Sequence, residues 1–229
     1  MSLVYDDPRT AEVVVRHDVP FSGELVMDLY APPDAGSPLP AVVLVIGYPG
    51  RGKSMPSNVA WARLLATRGM LAVTYTNEDP ERDLHALLAH LRQRPDVDPS
   101  RIALLASSGN VPLALSVLGE VRCAALLYGF MLDVDGVVSQ AAGTFGFANP
   151  GFAMVDTPVF VARAGQDQFP GVKESIDAFV AEALRRNLPV TLTNHAMGPH
   201  AFDIAHDDEM SRAIVRQSLS YLQEHVQRA

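Results

Sequence analysis

Short apolar runs alternate with amphipathic stretches along this chain. The stretch ELVMDLYAP alternates apolar and polar residues like a half-exposed strand, whereas several later runs have the composition of strands buried on both faces. These later runs are AVVLVI, MLAVTY, RIALLAS, CAALLY and TPVFVAR. An antiparallel start followed by repeated β-α units predicts an α/β fold with a mostly parallel central sheet and helices on both faces.

The segments between the strands have the periodicity of amphipathic helices. Asp79 and Pro80 form a helix start, because a capping side chain is followed by proline in the first turn, and a stripe of leucines runs from Leu84 to Leu91. VKESIDAFVAEALRRN and the C-terminal segment predict two more helices. Because the connections are short, we expect a single domain over residues 1–229 without a large cap.

The segment 129–156 departs from this rhythm, since it is rich in glycine and phenylalanine and only weakly periodic. It follows the carboxyl end of a predicted strand, and such sheets bind ligands beyond those ends. It is therefore either an ordinary connection or the wall of an apolar pocket. In the second interpretation its phenylalanines bind the substrate: Phe130, Phe145, Phe147 and Phe152.

Composition narrows the expected partners. A formal charge of −8 disfavours nucleic acid and anionic membrane surfaces as main partners and leaves small neutral substrates open. The stretch MSLVYDDPRT lacks the pattern of a signal peptide, and no apolar run reaches the roughly 20 residues of a membrane span. We therefore expect a cytoplasmic protein that does not enter membranes. The single cysteine, Cys123, lies in an apolar stretch and is expected to be an inert core residue.

The residues GYPGRGKS, from Gly47 to Ser54, fit the phosphate-loop pattern G-x-x-x-x-G-K-[ST]. A nucleotide site would place Lys53 at the phosphates and Ser54 at magnesium, and it usually needs an acidic residue after a second apolar strand. RIALLA is followed by serines, CAALLY by glycine and MLAVTY by Thr76, so that carboxylate is not evident. A phosphate-loop nucleotide enzyme is kept as an alternative function.

A second motif, LLASSGNVPLAL, has the layout of a nucleophile elbow, in which a strand, a tight turn and a helix follow one another. The pattern small-x-Ser-x-small favours Ser108 over Ser107. If Ser107 were the nucleophile, Leu105 would stand at the small position two residues before it and would clash with the close approach of strand and helix. The helix start at this turn also favours developing negative charge. Ala106 and Asn110 flank Ser108 where glycine is usual, and Asn110 is large enough to crowd the contact between strand and helix.

A serine nucleophile needs a base and an orienting acid, which in this architecture follow in the chain order Ser, Asp or Glu, His. Asp167 comes just after the strand in TPVFVARAGQD, and His200 lies in the loop after VTLTNHA. With Ser108 they should meet at one edge of the sheet. Asp133, after an earlier strand, is the rival acid, and His195 is the rival base.

Histidines and carboxylates also gather in HAMGPHAFDIAHDDE. Such residue types bind metals, but the spacing of His195, His200 and His206 fits no familiar zinc motif. We therefore predict no metal site, and His200 is interpreted as a base among solvated neighbours.

These motifs together resemble those of the α/β-hydrolases, most closely the dienelactone-hydrolase-like and related small serine esterases. The matching features, spread over about residues 24–225, are MDLYAP, VVLVIGYPG, DPSRIALLASSGN, AGQD and PHAF. The resemblance implies the three-layer α/β-hydrolase sandwich and hydrolysis of a small carboxylic ester, or a related lactone or thioester. It makes Ser108 the nucleophile, Asp167 the acid and His200 the base. Dienelactone hydrolases proper use a cysteine nucleophile, so the serine here points to esters more generally.

The same resemblance gives GYPGRGKS a second interpretation, as a loop that shapes the oxyanion hole. One amide is then placed at or near Tyr48, and Gly109 supplies the other. Ile46 replaces the histidine that is common in this turn, which alters the expected support of the loop. Lys53 is expected to point to solvent and to contact no phosphate. No cofactor is implied, and a catalytically silent binding protein with the same fold is a further alternative.

Overall fold

The computed structural model describes residues 3–34, 36, 38–50 and 52–227. Within these residues, eight strands form one sheet. Their bounds are β1 (Val14–Ser22), β2 (Leu25–Ala31), β3 (Leu39–Leu44), β4 (Leu71–Tyr75), β5 (Val97–Ser107), β6 (Cys123–Leu127), β7 (Val159–Ala164) and β8 (Val190–His195). In the sheet they lie in the order β1-β2-β4-β3-β5-β6-β7-β8.

The same described residues include seven α-helices, of which five lie between strands and two follow the last strand. They are α1 (Pro56–Ala66), α2 (Pro80–Arg92), α3 (Val111–Ser116), α4 (Val137–Phe145), α5 (Val172–Arg185), α6 (Phe202–Ala205) and α7 (Glu209–Gln227). The predicted cap of α2 is confirmed, because the Asp79 side chain accepts a hydrogen bond from Arg82 N–H. Within the described residues, every helix is too short or too polar to span a lipid bilayer.

The prediction of a mostly parallel sheet is confirmed. β2 pairs antiparallel with β1 and β4, and all later neighbours from β4 to β8 run parallel. The expectation of a half-exposed β2 is wrong: Met27 to Tyr30 are all buried, because β2 lies inside the sheet rather than at its edge.

Helices cover both faces of the sheet, as predicted. Successive residues of a strand point to opposite faces, so Val42 and Leu44 of β3 pack on one side while Val43 packs on the other. The first side is covered by α1, α6 and α7, and the second by α2, α3, α4 and α5. This double burial explains the continuous apolar runs.

The carboxyl ends of the parallel strands meet at one edge of the sheet. β3 lies beside β5, and beyond their ends Val45 N–H donates to Leu105 O at 2.9 Å. β6, β7 and β8 follow in sequence order next to β5. The loops after these strands, which carry the candidate residues, therefore converge.

Candidate active site

The chain turns sharply at Ser108, directly after β5. Its φ of +56° is the left-handed conformation, which is uncommon for residues other than glycine and stores strain. A 3₁₀ helix, Ser108–Asn110, leads from this turn into α3. Close packing holds the turn, since a Cβ on Gly129 would lie 2.6 Å from the Ser108 carbonyl oxygen. The backbone at Ser108 therefore has the geometry expected of a nucleophile elbow.

Side chains from three loops meet at this turn. Ser108 Oγ lies 2.8 Å from His200 Nε2, and His200 Nδ1 lies 2.7 Å from Asp167 Oδ2. The Asp167 side chain is fully buried, and its Oδ1 accepts a hydrogen bond from Phe169 N–H at 2.9 Å. The rings of Tyr128 and Phe169 pack edge-on against His200. The structure thus brings the three residues within hydrogen-bonding distance, and their catalytic roles stay a prediction.

The turn after β3 is fixed by polar side chains of neighbouring elements. Tyr75 Oη accepts a hydrogen bond from Ile46 N–H at 3.1 Å, and Asn77 Nδ2 donates to Ile46 O at 2.8 Å. Asn110 Oδ1 accepts from Gly47 N–H at 2.8 Å. These contacts support the turn although Ile46 stands in place of a histidine. The expectation that Asn110 crowds the elbow is wrong, because its side chain ties the elbow to this turn.

Tyr48 and Gly109, the predicted oxyanion-hole residues, lie against each other. A Cβ on Gly109 would collide with Tyr48 Oη and would lie 2.8 Å from Phe147 Cδ1, so a side chain here would push these two rings aside. Tyr48 also lines the cavity in front of Ser108. Both residues therefore lie close to the serine, and the assignment of their amides to an oxyanion hole stays a prediction.

A cavity of about 250 Å³ opens in front of Ser108 and His200. Its wall is of mixed character, so the expectation of an apolar pocket is wrong. Apolar contributions come from α6 and from the segment around the start of α1. The polar side chains in the lining, besides Ser108 and His200, include Ser57, Asn58, Ser107, Asn110, Tyr128 and Asp203.

The predicted substrate-binding phenylalanines are absent from the described lining of this cavity: Phe130, Phe145, Phe147 and Phe152. Phe130 and Phe147 are buried and stack on each other behind Tyr48, with ring centroids 5.4 Å apart. Phe152 packs towards α5, and Phe145 is half exposed. The segment 129–156 instead supports the turn after β3, since Ala148 N–H donates to Gly47 O at 2.8 Å.

A buried carboxylate in the cavity wall was missed from the sequence. Asp203 accepts hydrogen bonds from Tyr128 Oη at 2.6 Å and from Trp61 Nε1 at 2.9 Å. Burial raises the pKa of Asp203 above its usual value, and these two donors offset the rise only in part. The sequence signal for Asp203 was its position three residues after His200. Its partners, Tyr128 and Trp61, are distant along the chain, so no local pattern connects them with it.

Other candidate acids, bases and nucleophiles have structural contacts instead. Asp133, the rival acid, accepts a hydrogen bond from Val138 N–H at 2.9 Å at the start of α4. His195, the rival base, is buried, with Nε2 2.9 Å from Ser211 Oγ. Cys123 is buried in β6, where burial raises the pKa of its thiol to about 12. A thiolate nucleophile is therefore disfavoured.

The residues GYPGRGKS have different contacts from those of a phosphate loop. Lys53 Nζ lies 2.6 Å from Asp18 Oδ1 and 2.7 Å from Asp28 Oδ1, and the lysine side chain is 16% exposed. The expectation that Lys53 points to solvent is therefore wrong. Arg51 lies outside the described residues, and α1 begins only at Pro56. Because carboxylates already bind the ammonium group, the nucleotide-binding alternative is disfavoured.

Comparison with known proteins gives a clear result for the fold. No protein-family profile and no curated protein sequence matches the chain. An α/β-hydrolase enzyme from a Medee basin deep-sea metagenome library superposes with a TM-score of 0.71 at 16% identity, covering 94% of this chain and 98% of that one. This chain has the α/β-hydrolase fold.

Two esterases with this fold are also similar in structure. A bacterial heroin esterase has a TM-score of 0.77 at 14% identity, and the match covers 97% of this chain and 87% of that chain. Esterase LipW from Mycobacterium marinum has a TM-score of 0.76 at 16% identity, covering 95% and 83%. At these identities the similarity establishes the architecture, and reaction and substrate have to be argued from the site.

Proposed function

We propose that this protein is a serine hydrolase that cleaves a small carboxylic ester by acyl transfer. The observation that carries the proposal is the hydrogen-bonded chain from Ser108 through His200 to Asp167, set at a strained turn beside a cavity. Similarity to proteins named as esterases supports the same class of reaction. A closer relation to dienelactone hydrolases, and action on lactones or thioesters, stay predictions.

In the proposed reaction, Ser108 Oγ attacks the carbonyl carbon of the ester while His200 Nε2 accepts the serine proton. His200 Nδ1–H donates to Asp167, which orients the ring and stabilises the imidazolium. The imidazolium then protonates the leaving alcohol, and water releases the acid from the acyl-enzyme with the same histidine as base. Backbone amides at Tyr48 and Gly109 are the proposed donors to the oxyanion. No step of this scheme calls for a cofactor.

The cavity favours a small substrate. Its volume of about 250 Å³ lies below the roughly 300–1,000 Å³ of pockets that hold drug-sized ligands. Ser57, Asn58 and Tyr128 add hydrogen-bonding groups to its wall. We therefore propose esters with short acyl groups and at least one further polar substituent.

Labelling with a fluorophosphonate tests the nucleophile. Wild-type protein should be labelled and should hydrolyse p-nitrophenyl acetate and butyrate faster than the octanoate. Ser108→Ala should abolish labelling, since the attacking oxygen is gone, whereas Ser107→Ala should still be labelled and so controls for the adjacent serine.

Two results would contradict the proposal. Undiminished labelling of Ser108→Ala would exclude this serine as the nucleophile. A folded wild-type protein that neither reacts with the probe nor hydrolyses any ester of the series would indicate a silent binding protein with this fold.

A further inference from the structure

Two imidazoles and a carboxylate converge at the start of α7, outside the candidate active site. His195 Nε2 lies 3.2 Å from Asp208 Oδ1, and His206 Nε2 lies 3.3 Å from Asp208 Oδ2. One potential ligand atom of each residue lies within 4.8 Å of the other two. His195 ends β8, while His206 and Asp208 precede α7, so the fold rather than a local motif brings them together.

We propose that His195, His206 and Asp208 form a binding site for Zn²⁺. Imidazole nitrogens and carboxylate oxygens are common zinc ligands, and a water molecule would complete a four-coordinate site. Bonds of roughly 2.0–2.2 Å in a tetrahedral site separate neighbouring ligand atoms by about 3.4 Å. Each imidazole Nε2 already lies near this distance from one Asp208 oxygen, that of His195 from Oδ1 and that of His206 from Oδ2. A shared metal ion needs both nitrogens near the same oxygen, and the His206 ring has room to move there because its side chain is 40% exposed.

Two of the ligands are held in place before any metal binds. Ser211 N–H donates to Asp208 Oδ1 at 2.7 Å, and this hydrogen bond fixes the orientation of the carboxylate. The His195 side chain is 2% exposed and its Nε2 lies 2.9 Å from Ser211 Oγ. A metal ion would replace this hydrogen bond, while packing keeps the ring oriented.

The site would connect both ends of the loop that carries His200. Residues 196–205 lie between His195 and His206, and they include His200 and Asp203. A ligand that binds the folded arrangement but not the unfolded chain stabilises the fold. Zinc is therefore expected to raise the melting temperature, whether or not the protein hydrolyses esters.

Calorimetry with Zn²⁺ on metal-free protein tests this site. We expect one ion bound per chain, and a rise of about 5–10 °C in melting temperature at a hundredfold excess over Kd. His206→Asn should weaken zinc binding at least tenfold, because it removes one ligand at an exposed position. His85→Asn, which removes another exposed imidazole, 3.0 Å from Glu120, should bind zinc like the wild type. His200→Asn should also bind zinc with the affinity of the wild type, and this result would exclude zinc binding at the triad.

Three results would overturn the proposal. They are no heat and no change in melting temperature up to millimolar Zn²⁺, full affinity in His206→Asn, and loss of affinity in His200→Asn instead. If His206→Asn folds poorly, an anomalous difference map from a zinc-soaked crystal of wild-type protein gives the location directly. A peak between His195, His206 and Asp208 supports the site, and a peak only elsewhere rejects it.

Discussion

At the scale of single residues, the contacts of Asn110 show how the fold holds an elbow that lacks the usual glycine. Asn110 stands where glycine is usual, yet its amide oxygen binds Gly47 N–H at 2.8 Å. Gly47 in turn has no space for a side chain, because a Cβ there would lie 2.9 Å from Gly109 O. The elbow and the turn that carries Tyr48 are therefore in direct contact, and Asn110 joins them by a hydrogen bond.

We expect Asn110→Ala to lower kcat about tenfold with a smaller change in KM, since the turn at Tyr48 loses the contact that positions it. The free energy of unfolding should fall by only about 1 kcal/mol, the net value of one hydrogen bond. Kinetics on p-nitrophenyl acetate and urea unfolding measure the two effects. Asn149→Ala, which removes an exposed amide from the segment 129–156, is the control. A wild-type kcat in Asn110→Ala would exclude this positioning role.

At the scale of elements, Lys53 joins the β1–β2 hairpin to the loop after β3. Asp28 of β2 has a side chain that is only 5% exposed, and Lys53 Nζ lies 2.7 Å from its Oδ1. Burial would raise the pKa of Asp28, but hydrogen bonds from Lys53, from Asp18 N–H and from His17 hold it below its usual value. The ion pair therefore stabilises the packing of the hairpin on the candidate oxyanion loop.

We expect Lys53→Met to lower the free energy of unfolding at pH 7 by about 3 kcal/mol, because Asp28 stays buried without its cation. The stability that Asp28 contributes is present above its unfolded pKa of about 3.9 and is lost as the pH falls through its lower folded pKa. The difference between wild type and variant should therefore narrow in acid.

Urea unfolding at pH 7 and at about pH 3.5 measures this difference in stability. Lys173→Met is the matched control, because Lys173 forms no ion pair with any of the described residues. Lys173→Met should lower the free energy of unfolding only slightly at either pH. An equal loss for Lys53→Met at both pH values would contradict the assigned role of Asp28.

At the scale of the whole molecule, Asp203 connects parts of the chain that are far apart in sequence. Its carboxylate binds Trp61 of α1 and Tyr128 at the end of β6, and its backbone oxygen accepts a hydrogen bond from Val4 N–H at 2.8 Å. The Tyr128 backbone has a φ of +37°, and its ring packs against His200. The helix layer, the sheet and the candidate base thus share one buried polar cluster.

We expect Tyr128→Phe to lower the free energy of unfolding by about 1–3 kcal/mol, because the buried Asp203 loses a hydrogen-bond donor. Fluorophosphonate labelling of Ser108 should persist, since the ring that packs on His200 is kept. Urea unfolding and the labelling assay measure the two effects. Tyr221→Phe on α7 is the control, because the Tyr221 hydroxyl has no hydrogen-bond partner within the described residues. An equal loss of unfolding free energy in Tyr128→Phe and Tyr221→Phe would contradict a stabilising role of the hydrogen bond to Asp203.

The sequence by itself determined the order of strands and helices and the edge at which the candidate residues meet. Apolar runs report burial on both faces, and parallel strands place their carboxyl ends at one edge. Chain order then selected Ser108, Asp167 and His200, which the fold brings within hydrogen-bonding distance. The parallel sheet and the meeting of these side chains could be predicted because both depend on local pattern and on a general property of parallel sheets, and the catalytic roles stay a prediction.

Only the tertiary structure decided which side chains are neighbours. Hydrophobic periodicity predicts that a residue is buried but not what it contacts. The phenylalanines of segment 129–156 were therefore expected to line the cavity, whereas Phe130 and Phe147 pack behind Tyr48, which lines it. The partners of Lys53, Asn110 and Asp203 come from other elements, up to 142 residues away. Such contacts depend on how strands and helices pack against one another, and no local sequence pattern carries that information.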